Sequence, residues 1–340
     1  MRTFIENRKT RLVTIFISVF FMSSTLSHAA TILVATGPGP GHPPVVSVTV
    51  KGQNGDDTIS FMAYQKNFLG GVRVAVGDVN GDGFDDVITG SGAGALGHVK
   101  VFDGRRLGRT NALLMSFDAY QGSFRGGVFV AAGDITGDGR ADIIVAPDAG
   151  GQPLVRAFDG KSGAIIASFL AYPPTYTGGV SVSAGDVDGD GRIDIITGSN
   201  VNGHVKVFNG STGGQLQSFF AFPGFTGGVS VAAGDFNSDR HADLLVGAGP
   251  GAPGGHVKVF DGQTGLELLS FFAFDPNFLG GVQVAAGDVD ADKIADIVAG
   301  SGPGAVPHVK VFRAIDQLVL HDFVAYEPNF LGGVFVAGAE

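Results

Sequence analysis

From about residue 31 onward the apolar positions fall in short runs whose period is two. Val72-Arg73-Val74-Ala75-Val76 alternates, Asp86-Val87-Ile88-Thr89 follows, His98-Val99-Lys100-Val101-Phe102 alternates again, and Leu113-Leu114-Met115-Ser116-Phe117 makes a fourth β-rich run. Alternation of this kind places one face of a strand on a core, so four short strands form one unit. No helical period competes with it. Asp103-Gly104, Asp159-Gly160, Asn209-Gly210 and Asp261-Gly262 end the third strands and predict tight hairpins in which glycine supplies a positive φ.

The unit repeats. A step of an aromatic residue, a variable residue, Gly-Gly and Val occurs at Phe68, Phe124, Tyr176, Phe225, Phe278 and Phe330, and its valines, Val72, Val128, Val180, Val229, Val282 and Val334, lie 49 to 56 residues apart. The sixth unit is divided between the ends of the chain. Ile32-Leu33-Val34-Ala35-Thr36-Gly37 matches the second strand at Leu244, and Val334-Phe335-Val336-Ala337 matches the first strand at Val282. Complementary half-repeats are what a ring needs, because closure removes the exposed sheet edges of an open array. The expected fold is therefore all-β, a six-bladed β-propeller of four-stranded antiparallel blades over residues 31–340, its sixth blade closed by the N- and C-terminal strands. An open solenoid would need distinct capping units instead.

Between the first and second strands of five units lies an acidic loop. In the first, oxygen-bearing side chains stand at positions one, three, five and nine (Asp78, Asn80, Asp82, Asp86), and position seven, Phe84, offers its carbonyl. Oxygens at this spacing around a sharp turn suit one Ca2+ ion. The second loop has Asp134, Thr136, Asp138, Arg140 and Asp142, and the third Asp186, Asp188, Asp190, Arg192 and Asp194. The fourth has Asp235, Asn237, Asp239, His241 and Asp243, and the fifth Asp288, Asp290, Asp292, Ile294 and Asp296. Gly83, Gly139 and Gly191 occupy position six of the first three loops, where Arg240 and Lys293 stand in the last two. A side chain held at positive φ and a cation beside the metal both weaken binding, so three strong calcium loops and two weaker ones are expected. Flanking strands in place of helices, and the lack of a position-twelve Glu, exclude an EF-hand. The junction unit lacks the intervening residues, with Glu340 at position one and Thr31 at position nine, and carries no site.

Composition changes the picture in two ways. The chain has no cysteine and a net charge of -10, so stability rests on core and metal, and a phosphate-binding footprint is missing. Nucleic acid is therefore not expected as a partner. Residues 1–30 differ from the rest: Arg2, Arg8, Lys9 and Arg11 precede an apolar run from Leu12 to Met22, and small residues end at Ala29-Ala30. That is the pattern of a secretory signal peptide, and it implies a secreted or surface protein, the periplasm included, with no membrane span after cleavage. His98, His204, His256 and His308 share one place at the start of the third strands, too far apart for one metal and hence expected to be structural. Arg105, Arg106 and Arg109 read as a solvated turn.

The repeat period, the aromatic-glycine step, the acidic loop and the small-residue step after the second strand (Thr89-Gly90-Ser91-Gly92, Gly247-Ala248-Gly249-Pro250) together resemble the FG-GAP/VCBS repeat family, which includes the integrin α-subunit propeller. The resemblance spans essentially all of 31–340. It implies a propeller whose loops between strands one and two carry structural calcium, in an exported protein of bacterial type. Two departures stand out: the step reads Gly-Gly-Val instead of Phe-Gly, and the last two loops lack their glycine.

Those features are scaffold and metal, with no isolated acid, base or nucleophile among them. The function expected is a monomeric binding or adhesion module for an extracellular protein or polysaccharide, without enzymatic activity. A polysaccharide lyase or a lectin on the same scaffold is the alternative. The binding face is expected opposite the calcium loops.

Overall fold

In the computed structural model, which describes residues 31–52 and 55–339, the chain forms six four-stranded antiparallel sheets arranged as a ring. Blade one spans 72–118, and its strands run in order from the axis outward: Val72–Gly77, Asp86–Ser91, His98–Phe102 and Leu113–Asp118. Blades two to five repeat this order from Val128, Val180, Val229 and Val282. Blade six is composite: Val334–Gly338 is innermost and pairs antiparallel with Ile32–Pro38, followed by Val45–Gly52 and Gly55–Met62. The six-bladed ring expected from the split repeat is present, and the two ends of the described chain close it. The proposed signal peptide, residues 1–30, and Glu340 lie outside the described residues.

Second strands are buried along their whole length, because they sit between an inner and an outer strand and between two neighbouring blades. Ile88, Ile144, Ile196 and Leu245 are fully buried. The apolar clusters straddle blade boundaries; one joins Val46 and Val48 of blade six to Val72, Val87 and Phe102 of blade one. Another joins Leu33 and Val34 of blade six to Val298 and Val309 of blade five, so the composite blade is packed on both sides.

The turns after the third strands differ from expectation. Gly104, Gly160, Gly210 and Gly262 do not adopt a positive φ; in these turns it falls on Gly108, Gly163, Gly213 and Gly265. The earlier glycines are required for a different reason. A Cβ at any of the four would overlap the backbone carbonyl at position eight of the acidic loop in the same blade, Asp85, Ala141, Ile193 or Ala242. Close approach of two turns on one face, not backbone handedness, selects glycine there.

Each histidine at the start of a third strand bonds the outer strand of its own blade: His98 to Asp118 and Ser116, His204 to Ser218, His256 to Ser270 and His308 to Asp322. Each aromatic residue before a first strand packs on an aromatic residue that follows the outer strand of the preceding blade, as Phe68 does on Tyr64 with ring centroids 5.4 Å apart.

Candidate metal centres

All five acidic loops occupy the same place, between the innermost and second strands, on one face of the ring. Each is built by its own carboxylates. The position-one aspartate accepts hydrogen bonds from two or three of the amides at positions four to six; for Asp78 these come from Gly81, Asp82 and Gly83 at 2.7, 3.1 and 2.8 Å. The position-five aspartate accepts from the amide at position seven, in all five loops at 2.8 to 3.1 Å. Such Asx turns fold the loop into a cup.

Position nine has a second task. Asp86, Asp142, Asp194, Asp243 and Asp296 are at most 1% exposed. Their Oδ2 accepts the position-two amide at 3.0 to 3.1 Å, while Oδ1 of the first four accepts the amide of Gly104, Gly160, Gly210 or Gly262. A residue read as a ligand is thus also the brace between two turns. Blade five breaks the brace. Ala314 stands where the others have glycine, no hydrogen bond joins its amide to Asp296, and Asp296 Oδ1 is buried with no hydrogen-bond partner among the described residues. Burial pushes the carboxyls of Asp194, Asp243 and Asp296 up to about 6 and that of Asp86 up to about 7, against the pull of the amides.

The five loops bring their acids together to different degrees. Among the described residues three groups of carboxylates have ligand oxygens within 4.8 Å of one another: Asp186, Asp188 and Asp194; Asp239, Asp243 and Asp261; and Asp288, Asp290 and Asp296. The third and fifth loops reach three because position three is an aspartate. Asn80 and Thr136 occupy that place in the first and second loops, and Asn80 Nδ2 donates to Asp86 Oδ1 at 3.3 Å. The fourth loop, with Asn237, recruits Asp261 from the neighbouring turn. In the sequence Asp261 marks only a hairpin turn; the one signal of its second role is that an acid or amide precedes glycine in each of these turns. Asn209, the equivalent in blade three, donates to Asp188 at 3.0 Å and to Asp190 at 3.3 Å.

Position six has positive φ in every loop, at Gly83, Gly139, Gly191, Arg240 and Lys293, between 72° and 82°. Position four does too, and there Ser238 and Ala291 replace glycine in the fourth and fifth loops. These loops keep the turn at a strain of about 1 to 2 kcal/mol per residue. Position seven, expected to offer a carbonyl from Phe84, Arg140, Arg192, His241 or Ile294, points some of its side chains across blades. Arg140 donates to the Asn80 carbonyl of the preceding loop. The basic turn of blade one is tied to this face as well, with Arg105 Nη1 at 3.7 Å from Asp82 and its guanidinium 4.9 Å from the Phe84 ring.

Clustered carboxylates repel one another unless a cation or proton intervenes, and Asp296 Oδ1 is an acceptor lacking a donor. The donor set is all oxygen, which fits a hard divalent ion.

Three overlapping segments, residues 78–145, 134–197 and 186–246, match the FG-GAP-like repeat. The chain is 30% identical over 177 residues to integrin alpha-V of Gallus gallus, an alignment covering 45% of this chain and 16% of that protein. Among solved structures it is similar to rhamnogalacturonan lyase YesW, with 12% identity, 91% of this chain and 69% of that chain covered, and a TM-score of 0.43. It is also similar to the V. cholerae biofilm matrix protein Bap1, with 21% identity, 74% and 39% covered, and a TM-score of 0.39.

Proposed function

Since the chain is a propeller of FG-GAP-like repeats, we propose that it is a calcium-stabilised module that works outside the cytoplasm and binds an extracellular protein or glycan. The observation that carries this reading is the placement of three carboxylate clusters at one point of successive blades, with Asp296 Oδ1 left without a partner. Asp186, Asp188 and Asp194 would hold one ion, Asp288, Asp290 and Asp296 a second, and Asp239, Asp243 and Asp261 a third. Bound calcium supplies positive charge that cancels the repulsion within each cluster. The residues themselves hold the loop: position one gathers amides, position nine ties the cup to the next turn, and both become rigid when their repulsion is removed.

The matched segment of integrin alpha-V supports a surface or extracellular setting, and the basic, apolar leader points the same way. Among the described residues no helix is long and apolar enough to cross a membrane. With one face given to the acidic loops, the opposite face is the one offered to a partner.

The test is attachment of the purified protein to immobilised matrix proteins and polysaccharides, in calcium and in chelator, with product analysis of every polysaccharide that binds. Saturable, calcium-dependent attachment with no product is expected. Attachment indifferent to calcium would contradict the calcium part of the reading, and chain cleavage would make the protein an enzyme.

A further inference from the structure

Six near-identical blades make the places where the repeat is broken informative, and two rings of broken positions meet at the mouth opposite the acidic loops. The residue between the two core valines of each innermost strand is Arg73, Phe129, Ser181, Ser230, Gln283 or Phe335, and all six line a cavity of about 340 Å³ on the ring axis. The residue just beyond each second strand is glycine in four blades, with Asp148 and Asn200 in the other two.

These departures touch. The guanidinium of Arg73 lies against two rings that meet edge to face, 5.0 Å from the centroid of Phe129 and 4.8 Å from that of Phe335. Its Nη2 pairs with Asp148, whose Oδ1 also accepts from Asn200 Nδ2 at 3.5 Å. The Arg73 side chain is only 8% exposed, yet its Nε and Nη1 have no hydrogen-bond partner among the described residues, while the Asp148 side chain is 19% exposed. Leaving guanidinium donors unmet out of water is expensive, so a ring interior that keeps them has a use for them.

From this juxtaposition we propose that the axial mouth around Arg73, Asp148 and Asn200 binds a neutral sugar unit. The inference deepens the binding-module reading and rests on it. The ligand class follows from charge and donor balance. Arg73 and Asp148 cancel, so a free anion meets Asp148 and a cation meets Arg73. An apolar ligand leaves the Arg73 donors unmet. A hydroxyl group accepts from Arg73 and donates to Asp148 in the same place, and adjacent hydroxyls extend the pattern to the Asn200 amide. Phe129 and Phe335 hold the guanidinium plane in position by cation–π contact and by packing.

The experiment uses an array of neutral and acidic oligosaccharides, followed by calorimetry of any hit in calcium buffer with the full chain and two variants. A neutral oligosaccharide should bind, and Asp148→Asn, an isosteric change, should weaken it at least tenfold at a temperature where circular dichroism shows the variant folded, since losing the Asp148 charge also lowers stability by stranding the buried Arg73 cation. Arg73→Lys should weaken it similarly, and if that variant fails to fold, Asp148→Asn decides alone. Unchanged affinity in Asp148→Asn would overturn the site and leave the module reading standing. Binding of acidic glycans only, or of none, would overturn the sugar assignment, and attachment to matrix proteins in calcium would then show that the module reading survives without it.

Discussion

The position-nine aspartate and the glycine facing it form the smallest unit of the structure with a function of its own. Gly160 shows why the pair is constrained: its amide holds Asp142 Oδ1 at 2.9 Å, and its missing Cβ lets that turn reach the Ala141 carbonyl. Gly160→Ala should therefore destabilise the protein by about 2 kcal/mol or more, measurable by denaturant unfolding, because it forces a backbone shift and orphans a buried carboxylate oxygen. Blade five, with Ala314, already has this arrangement. The aspartates also set a pH dependence. The Asp86 carboxyl is raised from 3.8 to about 7, mainly by burial. A raised acid favours the folded state when protonated, so its contribution is fully present below pH 3.8 and is lost as pH rises toward 7. In chelator the melting temperature should rise as pH falls from 7.5 to 5, and calcium should flatten that slope by favouring the ionised form. A chelated protein that melts lower at pH 5 than at 7.5 would contradict this. None of the pairing was legible in the chain, because Gly160 and Asp142 belong to different turns and only the folded blade brings them together.

At the scale of the loop, sequence and structure agree on the turn, and the structure adds where the carboxylates converge. Glycine at position six marks where positive φ is needed, yet Arg240 and Lys293 adopt it too, at 72° and 73°. Convergence of charge depends instead on position three and on the adjacent turn, which is why Asp261 completes a cluster that sequence spacing alone leaves short. Arg240→Gly and Lys293→Gly remove strain and a cation together, and each should tighten calcium binding at its loop about threefold to tenfold by calorimetric titration, with little change at the other loops. The strands themselves were legible because alternation and turn residues agree along every blade. The Arg73 and Asp148 pair was not: the two lie 75 positions apart and each is a departure from the repeat, so periodicity directs attention away from them.

At the scale of the whole molecule, stability depends on closure. The innermost strand of blade six, Val334–Gly338, pairs with Ile32–Pro38, and both pack against neighbouring blades. Removing residues 334–340 exposes a second-strand edge and opens apolar clusters on two sides, and should replace a single cooperative transition by a broad one, with aggregation. The split repeat made this closure predictable, since each terminal segment matches a different strand of one blade. Calcium then acts on the ring as a set of small increments. With dissociation constants near 0.1 mM and free calcium near 1 mM, each occupied site adds about 1.4 kcal/mol, and three sites add about 4 kcal/mol. The most direct measurement is the melting temperature of the full ring in 1 mM calcium against excess chelator at neutral pH. A rise of about 10 °C in calcium is predicted; the same melting temperature in both would contradict a calcium-stabilised propeller.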